Sequence, residues 1–415
     1  ALKEFYEGAI RDTINNEVPL LNDLQETERP AFGRRLQYPF RNSRNSGVGS
    51  RADGGTLPTA GQQGYVLATV SQTYTYGRLQ VSGPVLRAGK HAFAEAMVTE
   101  MQGLTNDLID NLGRQTWMDG TGRLAVVNAS ASAATGSTNI LVDNRFARPG
   151  EPGARYVSVG SLIQVGSVAT PTAFTSQTVS SVTVSTAPAT TTDTVVAGNS
   201  AGTFSSSNVF LFVNGVSAGG EMQGLLGLID DVRISNHWHD SGGFISQVMG
   251  ISRSDVLALN ATVLHNSATV RVLDSNLMQT AFDRVAANAG TRPDRIYGHH
   301  DTIRTFLDQV AADRRYSTGP QGGAPAFDGG YSSLSYNGVP IRADRHCPYN
   351  TLFVFKRDVI KLWTSLPIEF ADNDGAILSR VTGQDAFDAY IRRYGNMALD
   401  GNPAACVAIR DIQIL

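Results

Sequence analysis

From Tyr65 to Tyr76 the chain alternates. Val66, Ala68, Val70, Gln72, Tyr74 and Tyr76 fall on one side, and Leu67, Thr69, Ser71, Thr73 and Thr75 on the other. A period of two is a strand signature. Neither side is apolar enough to lie on a core of its own, and Pro58, Gly61 and Gly64 just before it read as a turn. Gly54–Gly83 is therefore expected to be a long β-ribbon with no body of its own beneath it. A two-stranded ribbon is at best marginally stable alone in water. It must rest on something else.

The stretches around it differ in kind. Residues 2–26 carry Leu2, Phe5, Ile10, Ile14 and Leu21 loosely on one helical side. Residues 27–53 hold Arg29, Arg34, Arg35, Arg41, Arg44 and Arg51 with little periodicity, and read as an extended basic arm. After Gly89 comes the strongest helix, from His91 to about Met118, with Phe93, Met97, Met101, Leu104, Leu108 and Leu112 every three or four residues. At 1.5 Å per residue it is roughly 40 Å long. Asp119-Gly120-Thr121-Gly122 stops it.

Residues 129–215 are rich in Ser, Thr, Val, Ala and Gly, with short β-favouring runs between turn residues. They predict a small barrel or sandwich with a core of Ile140, Val142, Val157, Leu162, Ile163, Val165, Val182, Val184, Phe210 and Phe212. From Gly219 the pattern is mixed α+β. Asp274 or Ser275 can cap a helix closed by Gly290, a second helix carries Ile303, Phe306, Leu307 and Val310, and Asn337-Gly338 signals a tight hairpin. Strand-like runs follow to Ile412, without the βαβ alternation of a doubly wound sheet.

Composition narrows the function. The 415 residues leave room for two or three domains of roughly 150 each. Charged residues make up 17% of the chain, against ~25% in average soluble proteins. A net charge of −3 argues against nucleic-acid binding by a basic domain. Lysine occurs only at Lys3, Lys90, Lys356 and Lys361, so the basic side chains are mostly arginine, the cation enriched at protein interfaces. A GC-rich genome would give the same skew. Cys347 and Cys406 have no metal-ligand spacing and read as reduced thiols. No run approaches the ~20 apolar residues of a membrane span, and charges interrupt Leu2–Pro19, against a signal peptide. Ala1 fits removal of a methionine or of a longer leader.

Catalytic motifs fare poorly. Gly215-Val216-Ser217-Ala218-Gly219 matches the G-x-S-x-G elbow of serine hydrolases, but so does Gly198-Asn199-Ser200-Ala201-Gly202. Neither follows the parallel-sheet alternation that such a nucleophile needs. His237-Trp238-His239-Asp240 lacks a third metal ligand. Asp301 in His299-His300-Asp301 reads as a helix cap or first-turn anion. Gly120-x-Gly122-x-x-Ala125 follows a helix where a dinucleotide loop follows a strand. The expectation is no enzyme, no cofactor and no metal.

Several stretches together carry a resemblance: GGTLPTAGQQGY at 54–65, YGRLQVSGPV at 76–85, LGRQTWMDGTG at 112–122, DSNLMQTAFDRV at 274–285, AADRRY at 311–316, LSYNGVPIRADRHCP at 334–348 and YGNMALDGNP at 394–403. With the order of parts, they resemble the major capsid proteins of tailed double-stranded DNA bacteriophages, the fold named after phage Hong Kong ninety-seven. The resemblance covers nearly the whole chain outside 129–215. It implies an α+β tailed-phage major capsid fold with an inserted all-β domain. Residues 1–53 would be the N-terminal helix and arm, 54–88 the extended β-ribbon or E-loop, and 89–128 with 352–403 the P-domain and its spine helix. Residues 129–216 would be the barrel-like insert, and 217–351 with 404–415 the A-domain.

In that family the ribbon lies on an adjacent subunit, so the missing body would be another copy of the chain. The implied function is self-assembly as hexamers and pentamers into an icosahedral phage head around double-stranded DNA, bound without sequence specificity. Portal and scaffolding proteins are implied partners, with a decoration protein as an optional one. The implied location is the virion, assembled in the host bacterial cytoplasm. Arg34, Arg35, Arg41, Thr59, Gln62, Gln63, Tyr65, Tyr74, Tyr76, Arg78, Arg393 and Asn396 are the expected contacts between subunits. Some members of the family join neighbours by a lysine–asparagine bond. Gly54–Gly83 contains no lysine, so fastening is expected to be non-covalent. The competing readings are an encapsulin-type nanocompartment shell, a β-rich phage adhesin or tail protein, and a serine hydrolase.

Overall fold

A computed structural model describes residues 18–27, 34–83, 90–127, 131–132, 137–144, 152–166, 176–184, 193–198, 203–204, 210–216, 220–234, 246–267, 269–311, 334–372 and 377–414. Most of the helix expected over 2–26, the 237–240 histidine pair and the serines of both G-x-S-x-G matches lie outside these residues.

The alternating run is one strand path that changes partner once. Gly64–Ser71 pairs antiparallel with Arg35–Ser43, Tyr38 opposite Ala68 and Leu36 opposite Val70. Past Gln72, Thr73–Ser82 pairs antiparallel with Ala386–Leu399 through ten register pairs, from Thr73↔Gly395 to Ser82↔Ala386. The ribbon expected over 54–88 is thus corrected at both ends. Its first strand comes from the supposed arm, and its last ten strand residues belong to a sheet.

Nor is the ribbon unsupported. Leu36, Tyr38, Ala68 and Val70 are buried in the main core beside Met249, Trp363 and Leu399. The Tyr38 hydroxyl donates to the Leu399 carbonyl at 2.5 Å, and the Thr69 amide donates to the Met249 carbonyl at 2.8 Å. Small and aromatic side chains suffice here because the body rises to meet them. Only Arg44–Gln63, irregular and almost wholly exposed, lacks this support.

Thr73–Ser82 is the outer strand of a five-stranded sheet in which Ala386–Leu399 also pairs with Ile360–Phe370 and Ser379–Arg380, and Ile360–Phe370 pairs in parallel with Gln25–Thr27. The long helix, Lys90–Trp117, packs beneath. Met101, Leu108, Ile109 and Leu112 bury against Phe370, Ile391 and Val18, with Leu79 and Leu104 at the margin. Met101, Leu104, Leu108 and Leu112 are positions that the helical period marks, Ile109 adds to them, and the side chains of Phe93 and Met97 lie outside the described residues.

Six strands close into a barrel: Arg123–Val127, Ser137–Asn144, Leu162–Gly166, Gln177–Thr183, Asp193–Gly198 and Phe210–Val213. Arg123–Val127, grouped from sequence with the long helix, is therefore a barrel strand. Ile140, Val142, Val157, Ile163 and Val165 line the barrel core with Val179, Val195 and Leu211, and Val182 packs against it. Leu162 and Val184 are exposed instead. Phe210 and Phe212 are buried, but strand alternation sets them on the face opposite Leu211. The chain enters and leaves the barrel through one polar clasp. Arg114 of the long helix pairs with Glu221, and Arg123 pairs with Asp119 at 2.7 Å.

A six-stranded mixed sheet completes the molecule, in the order Thr262–Leu264, Cys406–Ile409, Leu352–Phe355, Arg295–Gly298, Val339–Ala343, Ser335–Tyr336. Asp274 caps helix Ser275–Ala289, accepting from the Leu277 amide at 2.8 Å, and Gly290 ends it at φ 65°. Asn337 and Gly338, at φ 50° and 81°, make the hairpin turn that needs two left-handed residues. Both cysteines are buried and in no disulfide. Among the described residues no helix is long and apolar enough to cross a membrane.

Candidate assembly surface

The expected contact residues fall into three places. Arg41, Thr59, Gln62, Gln63 and Tyr65 are all exposed at the far end of the ribbon. Tyr65 is 61% exposed and donates from its hydroxyl to Gln63 Oε1 at 2.8 Å. Leu57, 83% exposed, and Leu67, 55% exposed, stand out here too. Sequence reasoning passed over them because an isolated apolar residue in a loop carries no period. Between Gly54 and Gly77 there is no charged residue. Leu57, Tyr65 and Leu67 therefore stand in an uncharged stretch with their side chains largely in solvent. Arg34 and Arg35 are exposed at the opposite end, where the Arg34 carbonyl accepts from the Gln72 amide at 3.1 Å.

The second place is the open face of the five-stranded sheet. Alternation sets Thr73, Thr75, Gly77 and Leu79 toward the long helix, and turns Tyr74, Tyr76, Arg78 and Gln80 outward. Tyr394 lies across the strand pair, its ring 5.0 Å from Tyr74 and 6.0 Å from Tyr76, both edge-on. The Tyr394 hydroxyl bond, with burial, pushes the Tyr76 phenol up to about 12. Arg78 pairs with Asp388, and Arg392 reaches Glu369 at 2.7 Å, so the charges on this face are matched within the chain. Tyrosines among paired arginines make a surface of the composition found at protein contacts.

The third place is tied into the subunit itself. Arg393 is only 5% exposed and sits against Met222. Asn396 donates to the Ser71 carbonyl at 2.7 Å and accepts from the Gln223 amide at 3.0 Å. Strand alternation explains the burial of Arg393, which faces the helix side of the sheet. Both hold their own subunit together: Arg393 is buried within it, and Asn396, partly exposed, is hydrogen-bonded within it.

The remaining motifs are structural where described. Asp301 lies in the first turn of His300–Ala311, but the cap is the His299 ring, whose Nδ1 accepts from the Asp301 amide at 3.2 Å. Burial, with Arg155 and His300 nearby, pushes His299 down to about 3, so the ring is a neutral acceptor. Gly120 and Gly122 turn the chain from the long helix into the barrel. No cluster of His, Cys, Asp and Glu among the described residues fits a metal.

No family model and no curated protein matches the sequence. Solved structures do. The capsid asymmetric unit of cyanophage A-1(L) aligns over 95% of this chain and 93% of its own, at 12% identity and a TM-score of 0.58. The capsid of an empty GTA particle covers 95% and 90%, at 6% identity and 0.49. The encapsulin complex of Synechococcus elongatus covers 95% and 87%, at 8% identity and 0.41. The likeness that carries weight is the first, and it spans ribbon, long helix, barrel and mixed sheet together. The chain has the fold of the phage capsid proteins.

Proposed function

We propose that this protein is a major capsid protein, a structural chain and not an enzyme, that assembles as hexamers and pentamers into an icosahedral phage head enclosing double-stranded DNA. The observation that carries the reading is the far end of the ribbon. Arg44–Gln63 leaves the body with Leu57 and its uncharged flank in solvent, a surface that a second copy would cover. Heterologous contacts of this kind close into rings when the rotation permits. The long helix and five-stranded sheet would be the P-domain, the six-stranded sheet the A-domain, and Arg123–Val213 the insert. Portal, scaffolding and decoration proteins would be further partners, and the virion the final location.

Fastening would be non-covalent. Lys361 is paired with Asp400 at 2.5 Å, and Asn396 is occupied within its own chain. Electron microscopy of the purified protein tests the reading. Rings or closed shells holding DNA support it. Shells holding a cargo protein would move it to an encapsulin, and a monodisperse monomer at high concentration would end it. Boiled in detergent, particles should run as one band near 44.3 kDa.

A further inference from the structure

Among the described residues, one aromatic side chain of the barrel reaches into the main core. Tyr156 lies in the turn between barrel strands Ser137–Asn144 and Leu162–Gly166, and it packs against both the barrel core and the main core. The turn belongs firmly to the barrel. Ala154 and Val157 are buried in the barrel core, and the Ala154 amide donates to Asp193 Oδ2 at 2.8 Å. On the far side, the Tyr156 ring stacks on His346, with centroids 6.2 Å apart and planes 17° apart.

His346 is itself wedged. Its side chain is 3% exposed, and it lies so close to the long helix that a Cβ on Gly113 would stand 2.5 Å from its Cδ2. Its Nε2 faces two groups of opposite demand. Arg345 Nε donates to it at 3.1 Å, while Asp110 Oδ1 of the long helix lies 3.4 Å away. A neutral Nε2 lone pair can accept from Arg345 but can take nothing from a carboxylate. A protonated Nε2 reverses both: it donates to Asp110 and excludes the Arg345 N–H. Arg345 has somewhere to go, because its Nη2 already sits 2.9 Å from Asp110.

We propose that His346 is a proton-operated latch that sets how tightly the barrel is seated on the long helix. With Nε2 protonated, the ring is fixed to Asp110 on one face of the junction and becomes a cation stacked on Tyr156 at the other, which strengthens the stack. With Nε2 neutral, the tie to the helix passes through the half-exposed Arg345 instead. Acid therefore tightens the seat, and base loosens it.

Four other charged or titratable groups face the junction. The His346 hydrogen bond, with Arg345 and Arg155 nearby, keeps Asp110 below the usual carboxylate range. Asp344 accepts the His346 amide at 2.8 Å through Oδ1. The Arg155 guanidinium lies over the rings of Tyr156 and Tyr349, 5.0 and 5.2 Å from their centroids. His299, stacked on Tyr349 at 3.8 Å, stays neutral down to about 3.

The test is amide hydrogen exchange of the full chain at pH 5 and pH 8, which bracket the ordinary imidazole value of about 6.5. Rates are corrected for intrinsic exchange. Residues 152–157 should be about two- to fivefold better protected at pH 5, while 225–229, in the main core, should show no such ratio. In His346→Gln, whose amide cannot titrate, the ratio should fall to one. In Asp110→Asn, a half-exposed change that spares the core, it should shrink. A ratio of one in the parent chain, or a ratio that survives His346→Gln, overturns the latch. If His346→Gln does not fold, an undiminished ratio in Asp110→Asn overturns it alone.

Discussion

Asn396 Nδ2 donates to the Ser71 carbonyl at 2.7 Å, at the residue where the ribbon ends and the sheet strand is about to begin. The same side chain accepts from the Gln223 amide through Oδ1 at 3.0 Å, so one amide ties the ribbon's root to the segment that leaves the barrel. Asn396→Ala removes both bonds. It should cost about 1–3 kcal/mol, at ~0.5–1.5 for each of the two hydrogen bonds. Denaturant unfolding would measure it, and hydrogen exchange should show the loss concentrated at 64–71. An unchanged midpoint would mean that water replaces the amide without cost.

Assembly and folding should separate cleanly at the ribbon's far end. Ser43 faces Gly64 in the ladder, so Arg44–Gln63 can be replaced by a two-residue Asn-Gly turn. The shortened subunit should unfold cooperatively near the parent temperature yet form no closed shells by electron microscopy. Removing Thr56–Gln80 is a different operation. It takes Ala68 and Val70 from the core and most of a sheet strand, and should leave no folded subunit. A shortened Asn-Gly variant that aggregates unfolded would show the far end to be part of the fold.

Gly113 lies near the C-terminal end of the long helix, still inside it, where glycine ordinarily costs about 0.5–1 kcal/mol relative to alanine. Gly113→Ala should nonetheless destabilise. The new methyl would stand 2.5 Å from a buried ring that has the helix on one side and Tyr156 on the other. Overpacking of this kind costs ~1–3 kcal/mol, which exceeds the propensity gain. Adding His346→Ala should return part of the loss, and thermal unfolding of the two variants decides the matter.

His299 sets a sign for acid sensitivity. Burial first, then Arg155 and His300, push its folded value down to about 3, whereas an unfolded imidazole titrates near 6.5. The unfolded chain then binds the extra proton. Stability from this site is full above about 6.5 and is lost as pH falls toward 3, by at most ~1.4 kcal/mol per unit. His299→Asn keeps an acceptor for the Asp301 amide and should flatten the fall in melting temperature between pH 6.5 and 4. Parallel curves for the two proteins would assign the acid sensitivity elsewhere.

Local chemistry was the legible part of the sequence. The long helix runs Lys90–Trp117 where its period put His91 to about Met118, and Asp274, Gly290 and Asn337-Gly338 do what their types dictate. Pairing was not legible. Alternation persists through Gln72, so nothing local says that Gly64–Ser71 and Thr73–Ser82 have different partners. A signal for the first partner was present. Leu36, Tyr38 and Phe40 alternate with Arg35, Gln37, Pro39 and Arg41, but the arginines and the proline drew the eye to an arm. The proline is tolerated because the two-stranded ribbon leaves one side of each strand open. Among the expected contact residues, exposure told apart what composition had grouped: Tyr74 and Arg78 face out, and Arg393, one strand over, faces in.

The change of partner at Gln72 also decides how the subunit carries a load. A neighbour that pulls on the ribbon's far end pulls along the strand, and past Gln72 that strand is already bonded at ten positions in the sheet. The pull therefore meets the ladder in shear, with the ten pairs strained together, where a ribbon hinged at right angles would be peeled off one pair at a time. In the proposed shell, tension raised at the seams would be passed into the sheet that the long helix backs.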